Sequence, residues 1–106
     1  MDSKKILSLL GFASKASKLQ YGFNKSLESL KLDRSKLIVI AFDVSEKSSK
    51  EIKFFADKKS IQYITLGGIG IEALSKAVGR TCGIVSVNDK GFADACLNAF
   101  NEGGNA

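Results

Sequence analysis

Apolar and polar residues follow one another along this chain in patterns that predict helices and strands in turn. Ile6, Leu10 and Ala13 fall on one helical face and predict an amphipathic helix over residues 3–17. Only a very short strand fits residues 19–21, before a glycine interrupts the chain. A second apolar stripe at helical spacing follows that glycine and predicts a second helix whose polar face meets solvent.

The segment Leu37–Ala41 is apolar without alternation, which is typical of a strand that is covered on both faces. We therefore expect it to be the central strand of a sheet. Two further apolar segments, at residues 61–66 and 83–87, predict the third and fourth strands. Polar residues at Asp43 or Ser45 can cap the helix that follows the central strand.

Short local signals mark the ends of the remaining helices. Gly79 is expected to end the fourth helix in a left-handed conformation, and Asn88 or Asp89 can cap the last helix. Helices thus alternate with strands throughout, and the doubly apolar strands must be covered from both sides. The predicted fold class is α/β, a three-layer α/β/α sandwich with four strands.

Length and composition fit a single globular domain. A chain of 106 residues with 44% hydrophobic residues can build one core, so we expect one domain over residues 1–100 and a flexible tail over residues 101–106. The longest apolar runs are too short to span a bilayer, and the first residues lack an apolar stretch long enough for a signal peptide. A cytoplasmic protein that does not bind membranes is expected.

The scarcity of catalytic side-chain types argues against an enzyme. Histidine, the commonest general base and a frequent zinc ligand, is absent. Cys82 and Cys96 are too few for a disulfide framework, and their spacing matches no metal-ligand pattern. We therefore expect two reduced, structural cysteines, and neither catalysis, nor a cofactor, nor a bound metal.

Positive charge is concentrated in the first part of the chain. The formal net charge is +5, and residues 1–60 contain 13 basic and 7 acidic side chains, against 3 and 4 in residues 61–106. An uneven basic surface favours a polyanionic partner. Lysines also keep small proteins soluble, so charge alone does not decide between these two interpretations.

Four segments carry a resemblance to a known family. They are Gly22–Asn24, Lys36–Asp43, Ala73–Arg80 and Val87–Ala93. Together they resemble the L7Ae/L30e family of ribosomal proteins, and in particular its bacterial YlxQ-like branch, over residues 3–100. The resemblance implies a mixed four-stranded sheet and a binding surface for the kink-turn, a sharply bent RNA.

The resemblance also implies where the RNA binds, namely at the start of the second helix and in the loop before the last strand. In the family, the helix-start pattern G-x-N-E-x-x-K reads the sheared G·A pairs of the kink. A helix N-terminus attracts phosphate, and a glycine there permits close backbone approach. The candidate RNA-binding residues are Gly22, Asn24, Lys25, Glu28, Lys31, Lys36, Arg80, Thr81, Cys82 and Gly83.

This chain departs from the family pattern at two of these positions. Lys25 stands where the family has glutamate, and Glu28 stands where it has lysine. A lysine cannot accept a hydrogen bond from a guanine N–H as a carboxylate does. The exchanged residues either read a different RNA or form an exposed ion pair with each other.

Two other functions compete with binding of structured RNA, whether kink-turn-like or ribosomal. Residues 68–73 match G-x-G-x-x-A, a pattern of dinucleotide-binding turns, and Asp89 lies at about the sequence distance at which such sites hold a ribose. The other competing function is a protein-interaction module of a ribosome or transcription complex that has weak RNA affinity. Ribosomal proteins are candidate partners in that case.

Overall fold

Helices and strands alternate along the whole of residues 1–102, the part of the chain that this computed structural model describes. The elements are α1 (Ser3–Lys15), β1 (Leu19–Tyr21), α2 (Gly22–Lys31), β2 (Leu37–Ala41), α3 (Glu46–Lys58), β3 (Tyr63–Leu66), α4 (Ile71–Val78), β4 (Ile84–Val87) and α5 (Lys90–Asn101). None of these helices is long and apolar enough to cross a lipid bilayer.

The four strands form one mixed sheet in the order β1-β4-β2-β3. β4 runs antiparallel to both of its neighbours, β1 and β2, whereas β2 and β3 are parallel. β2 therefore lies inside the sheet, as its unbroken apolar sequence predicted. The predicted fold class, a three-layer α/β/α sandwich around a mixed four-stranded sheet, is confirmed.

Alternate residues of β2 contribute to two separate cores. Val39 and Ala41 pack in the core that contains α1, α4 and α5, while Ile38 and Ile40 pack in the core that contains α2 and α3. Successive side chains of a strand point to opposite faces of the sheet, so a strand between two helical layers must be apolar at every position. All five residues of β2 are buried accordingly.

Local capping signals fix several helix ends as predicted. Ser45 accepts a hydrogen bond from the Ser48 N–H at 3.2 Å at the start of α3, and Asp89 accepts one from the Phe92 N–H at 2.9 Å at the start of α5. Gly79 ends α4 with a φ of 80°, in the left-handed region where glycine carries no steric cost.

Two predicted boundaries shift by two residues because of backbone contacts at helix ends. α1 ends at Lys15, since Ser17 adopts a positive φ of 60° and turns the chain out of the helix. β3 begins only at Tyr63, because the Ile61 N–H donates to the Ala56 carbonyl at 2.9 Å and so belongs to the end of α3.

The predicted flexible tail begins inside the last helix. Asn101 is the final residue of α5. The Glu102 carboxylate accepts a hydrogen bond from Lys5 Nζ at 3.1 Å, which ties the residue after α5 to α1. The rest of the predicted tail, residues 103–106, lies outside the described residues.

Candidate nucleic-acid interface

Strand directions bring three helix N-termini to one edge of the sheet. β1, β2 and β3 run the same way, and β4 runs against them. The starts of α2, α3 and α4 therefore lie together with the loop that leads into β4, at what we call the site edge. Helix N-termini present unpaired N–H groups and a partial positive charge, so this edge suits anions.

The start of α2 has an N-terminus that no side chain satisfies. Its N-cap residue, Tyr21, makes no side-chain cap hydrogen bond, and the first turn contains no acidic residue. Gly22 takes a φ of 86°, a conformation that residues with a Cβ rarely adopt. Asn24 is exposed and does not cap the helix. Backbone N–H groups, an amide side chain and a basic neighbour, Lys25, therefore face solvent together.

The neighbouring N-termini at the site edge are compensated. Ser45 caps α3, whose first turn contains Glu46. At the start of α4, the Ile71 N–H donates to the Asp43 carboxylate at 2.8 Å, and Glu72 lies in the first turn. Within residues 1–102, α2 is the helix whose first N–H groups donate no hydrogen bond to a side chain. Its positive end is therefore available to a ligand.

The loop before β4 lies directly beside the start of α2. Tyr21 pairs with Val85 across β1 and β4, and the Arg80 guanidinium carbon lies 4.7 Å from the centroid of the Tyr21 ring. Ser75 holds the loop in place, because its Oγ accepts from the Cys82 N–H at 3.0 Å and donates to the Cys82 carbonyl at 3.1 Å. The two segments that the sequence analysis grouped as one site are adjacent in the fold.

A shallow groove with no charged side chains runs between these segments. It is lined by Phe23, Val44, Ser45, Ser48, Ile71, Gly83 and Ile84. A Cβ on Gly83 would lie 2.7 Å from Val44 Cγ2 and 3.0 Å from Ile71 Cγ1, so glycine keeps the groove open. An apolar groove beside unsatisfied N–H groups can accept an unstacked nucleobase whose phosphates lie on the helix start.

Residues outside the predicted site complete this groove. Val44 follows β2, Ser48 lies in α3 and Ile71 begins α4, and none of them carries a pattern that points to a ligand. Phe42, which is 56% exposed, also lies at the site edge, immediately after β2. Strand direction is the signal that places these residues together, because the carboxyl ends of parallel strands share one edge.

The two residues that depart from the family pattern face each other on α2. Lys25 Nζ lies 3.9 Å from Glu28 Oε2, and the two side chains are 62% and 57% exposed. The structure thus contains the ion pair that was one of the two alternatives. An exposed pair contributes only about 0–1 kcal/mol to stability. It is weak enough for a phosphate to replace Glu28 as the partner of Lys25.

Lys31 and Lys36, two of the candidate RNA-binding residues, lie away from the site edge. Lys31 is the last residue of α2, about 13 Å along the helix axis from its start at a rise of 1.5 Å per residue. Lys36 precedes β2 at the opposite edge of the sheet, where its N–H donates to the Val87 carbonyl at the end of β4. The lengths of α2 and β2 separate both lysines from the start of α2.

Within the loop before β4, Cys82 is held by internal contacts, because its N–H and carbonyl both bond to Ser75 Oγ. Cys82 is 6% exposed, and its Sγ lies 3.4 Å from the Arg80 carbonyl as a donor. Burial raises the pKa of the Cys82 thiol, so it stays protonated and apolar in character. Its side chain is therefore removed from the candidate contacts, while Arg80 and Thr81 remain exposed.

The dinucleotide prediction fails on the geometry of the sheet. A dinucleotide site needs its glycine turn and its ribose-binding acid at the ends of parallel strands. Because β4 is antiparallel to β2 and β3, Asp89 lies at the edge opposite residues 68–70. Asp89 caps α5, and the Asp43 carboxylate already occupies the start of α4, where a pyrophosphate would bind.

Comparison with known sequences agrees with the resemblance. The model of the Ribosomal protein L7Ae/L30e/S12e/Gadd45 family matches residues 4–97. The chain is 28% identical to the RNA-binding protein YlxQ of Enterococcus faecium, over 87% of each chain. It is 32% identical to the large ribosomal subunit protein eL30 of Candida glabrata, over 80% of this chain and 82% of that protein.

Solved structures share the fold. A protein of unknown function from Bacillus halodurans superposes with a TM-score of 0.87 at 23% identity, covering 92% of this chain and 98% of that one. The Giardia lamblia 15.5kD RNA binding protein superposes with a TM-score of 0.73 at 17% identity, covering 92% and 82%. At these identities the likeness establishes the architecture alone.

Proposed function

Because the chain belongs to the ribosomal protein L7Ae/L30e/S12e/Gadd45 family, we propose that it binds structured RNA at the site edge and favours a sharply bent, kink-turn-like form. The observation that carries this proposal is the start of α2, which lacks both a side-chain cap and an acidic residue in its first turn. The similarity to the Enterococcus faecium RNA-binding protein YlxQ supports the same conclusion.

Each part of the site edge has a distinct task in this proposal. The N–H groups that follow Gly22 bind a phosphate, and Asn24 reaches a base edge beside it. Lys25 contacts a second phosphate or a guanine acceptor. Arg80, stacked on Tyr21 in the loop before β4, offers its guanidinium to a further phosphate.

The setting proposed for this activity is a ribonucleoprotein of the cytoplasm, with ribosomal or other structured RNA as the ligand. No catalytic step is required, because binding alone stabilises the bent form of an RNA whose straight and bent states interconvert. Proteins of the same particle can then contact the remaining surface. A pure protein-interaction role is the alternative outcome of the experiment below.

The test is a titration of a kink-turn RNA and of the same RNA with its G·A pairs replaced by Watson–Crick pairs. We expect tighter binding to the kink-turn, with affinity falling linearly with salt on a double logarithmic scale, because phosphate contacts release counterions. Equal affinity for both RNAs would leave only general polyanion binding. No binding to either RNA would overturn the proposal in favour of a protein partner.

Substitution of side chains at the start of α2 tests whether the RNA-binding site lies there. We expect N24A/K25A to weaken kink-turn binding by about tenfold or more, since a good base contact discriminates by about 1–3 kcal/mol. The matched control is N98A/K90A on α5, which also removes an exposed asparagine and a lysine paired along a helix, here with Asp94 at 3.2 Å. The melting temperatures of both variants should stay close to wild type, and equal RNA affinities would refute this placement.

A further inference from the structure

Lysines and aromatic rings interleave where the end of α2 meets α3. Lys31 Nζ lies 5.7 Å from the centroid of the Phe55 ring, and Lys58 Nζ lies 5.0 Å from that of Phe54. The two rings contact each other edge to face, with centroids 5.4 Å apart. We call Lys31, Phe54, Phe55 and Lys58 the α2–α3 patch.

The lysines of this patch have an ordinary explanation, but Phe54 does not. Lys31 and Lys58 lie in the last turns of α2 and α3, where cations compensate the negative helix ends. Phe55 packs partly against the core between these helices and the sheet. Phe54 belongs to neither core and is 55% exposed, so its ring contributes little to folding.

Exposed rings beside cations are the arrangement with which proteins bind single-stranded nucleic acid. Bases stack on the rings whatever their sequence, and the cations neutralise the phosphates on either side. Asp33, near the end of α2, is paired with Lys59 at 2.9 Å. Glu51 and Asp57 lie three residues before and after Phe54 on α3, so the positive charge of the patch comes from Lys31 and Lys58 themselves.

The patch lies within reach of an RNA bound at the site edge. Lys31 is about 13 Å from the start of α2, and Phe54 lies eight residues into α3, about 12 Å from its start, at 1.5 Å per residue. Both helices begin at the site edge, and they pack against each other in one core. A strand that leaves the site edge along these helices arrives at the patch.

We propose that the α2–α3 patch is a second RNA-binding surface, which holds an unpaired strand. Phe54 stacks on a base, and Lys31 and Lys58 contact the phosphates that flank it. The inference rests on the proposed function only in taking RNA as the ligand, and it requires neither a kink-turn nor an intact α2 start. The two surfaces therefore fail or succeed separately in binding experiments.

The direct test uses a short oligouridylate and an abasic oligonucleotide of the same length. We expect F54A to weaken binding of the oligouridylate by about tenfold, which lies within the effect of losing one stacked base, and to leave the abasic chain unaffected. K58A should weaken both and reduce the salt slope by about 0.7 for the single-strand contact that it loses. Equal effects of F54A on both oligonucleotides would refute stacking.

The matched control variant lies on the other face of the sheet. Phe12 is 61% exposed on α1, and Lys15 lies in the last turn of that helix, so F12A/K15A removes the same groups as F54A/K58A from an equivalent position. Only F54A/K58A should lose oligouridylate binding. A similar loss in both variants would reduce the effect to net charge and overturn the proposal.

A kink-turn RNA with and without a single-stranded extension separates this inference from the proposed function. If both surfaces bind RNA, the extension should raise the affinity of the wild type and of N24A/K25A. F54A/K58A should lose this gain in affinity but still bind the RNA that lacks the extension. Binding of the oligouridylate without recognition of the kink-turn would sustain the patch and reject the α2 start. No gain from the extension and no oligouridylate binding would reject the patch.

Discussion

Replacement of Gly83 with alanine should destabilise the fold by overfilling the groove at the site edge. The new Cβ would lie 2.7 Å from Val44 Cγ2 and 3.0 Å from Ile71 Cγ1, closer than carbon atoms pack, so both side chains must move. Overpacking of this kind costs about 1–3 kcal/mol. Backbone strain adds nothing, because Gly83 is not among the glycines with positive φ.

The measurement is thermal and urea unfolding of four proteins: wild type, G83A, V44A and the double variant. A loss of 1 kcal/mol lowers the melting temperature of a domain of this size by roughly 4–8 °C. V44A also destabilises, since it removes apolar contacts, but it clears the shorter of the two clashes. The double variant should therefore be more stable than the sum of the single effects predicts, by about 1 kcal/mol.

If the losses of stability in G83A and V44A simply add in the double variant, the reasoning is refuted, because Val44 then does not oppose the new methyl group. The matched control is G67A, since a Cβ at Gly67 would meet nothing within 4 Å and the residue has no positive φ. We expect its stability to stay within about 0.5 kcal/mol of wild type, as is usual for surface substitutions. A large loss of stability in G67A would instead indicate that any added methyl group at this edge of the sheet destabilises the fold.

Two further predictions concern the titration of the Cys96 thiol and the exchanged charges of Lys25 and Glu28. Burial raises the pKa of the Cys96 thiol from 9.0 to about 11, so between these values the folded protein keeps a proton that the unfolded chain has lost. The contribution of Cys96 to the free energy of unfolding should therefore be constant below pH 9 and decrease as the pH rises from about 9 to 11. Urea unfolding should show a smaller decrease in C96A than in the wild type, and an identical decrease would contradict this. K25E/E28K restores the family's charge order and should strengthen kink-turn binding while leaving the melting temperature nearly unchanged, because the present pair is exposed and 3.9 Å long. Unchanged discrimination between the two RNAs would show that the exchange does not affect recognition.

Local signals predicted the helices and strands, whereas contacts between distant segments decided their details. The αL end of α4 at Gly79 and the cap at Asp89 follow from the chemistry of single residues, and both were predicted. Asp43 or Ser45 was expected to cap α3, and Ser45 does so. The Asp43 carboxylate accepts instead from the N–H of Ile71, 28 residues away, since the parallel pairing of β2 and β3 places the two loops together.

The extent of the candidate site could be predicted only in part, for the same reason. The family's helix-start pattern suggested Gly22 and Asn24 as site residues, and the structure places both at the start of α2. Lys31 and Lys36 are close to them in sequence and carry the right charge, yet the lengths of α2 and β2 place them at the far end of the molecule. Conversely, Val44 and Ile71 join the site only because three strands end at one edge.

α2 links the two proposed surfaces through groups of different kinds. At its start the proposed contacts to phosphate come mostly from backbone N–H groups, which remain when side chains are replaced by alanine, whereas at its end they come from Lys31. Loss of Asn24 and Lys25 should therefore weaken recognition of the bent RNA without abolishing its attachment. Loss of Lys31 should lower the salt dependence of binding while the preference for the kink-turn persists, because that preference depends on groups about 13 Å away along the helix.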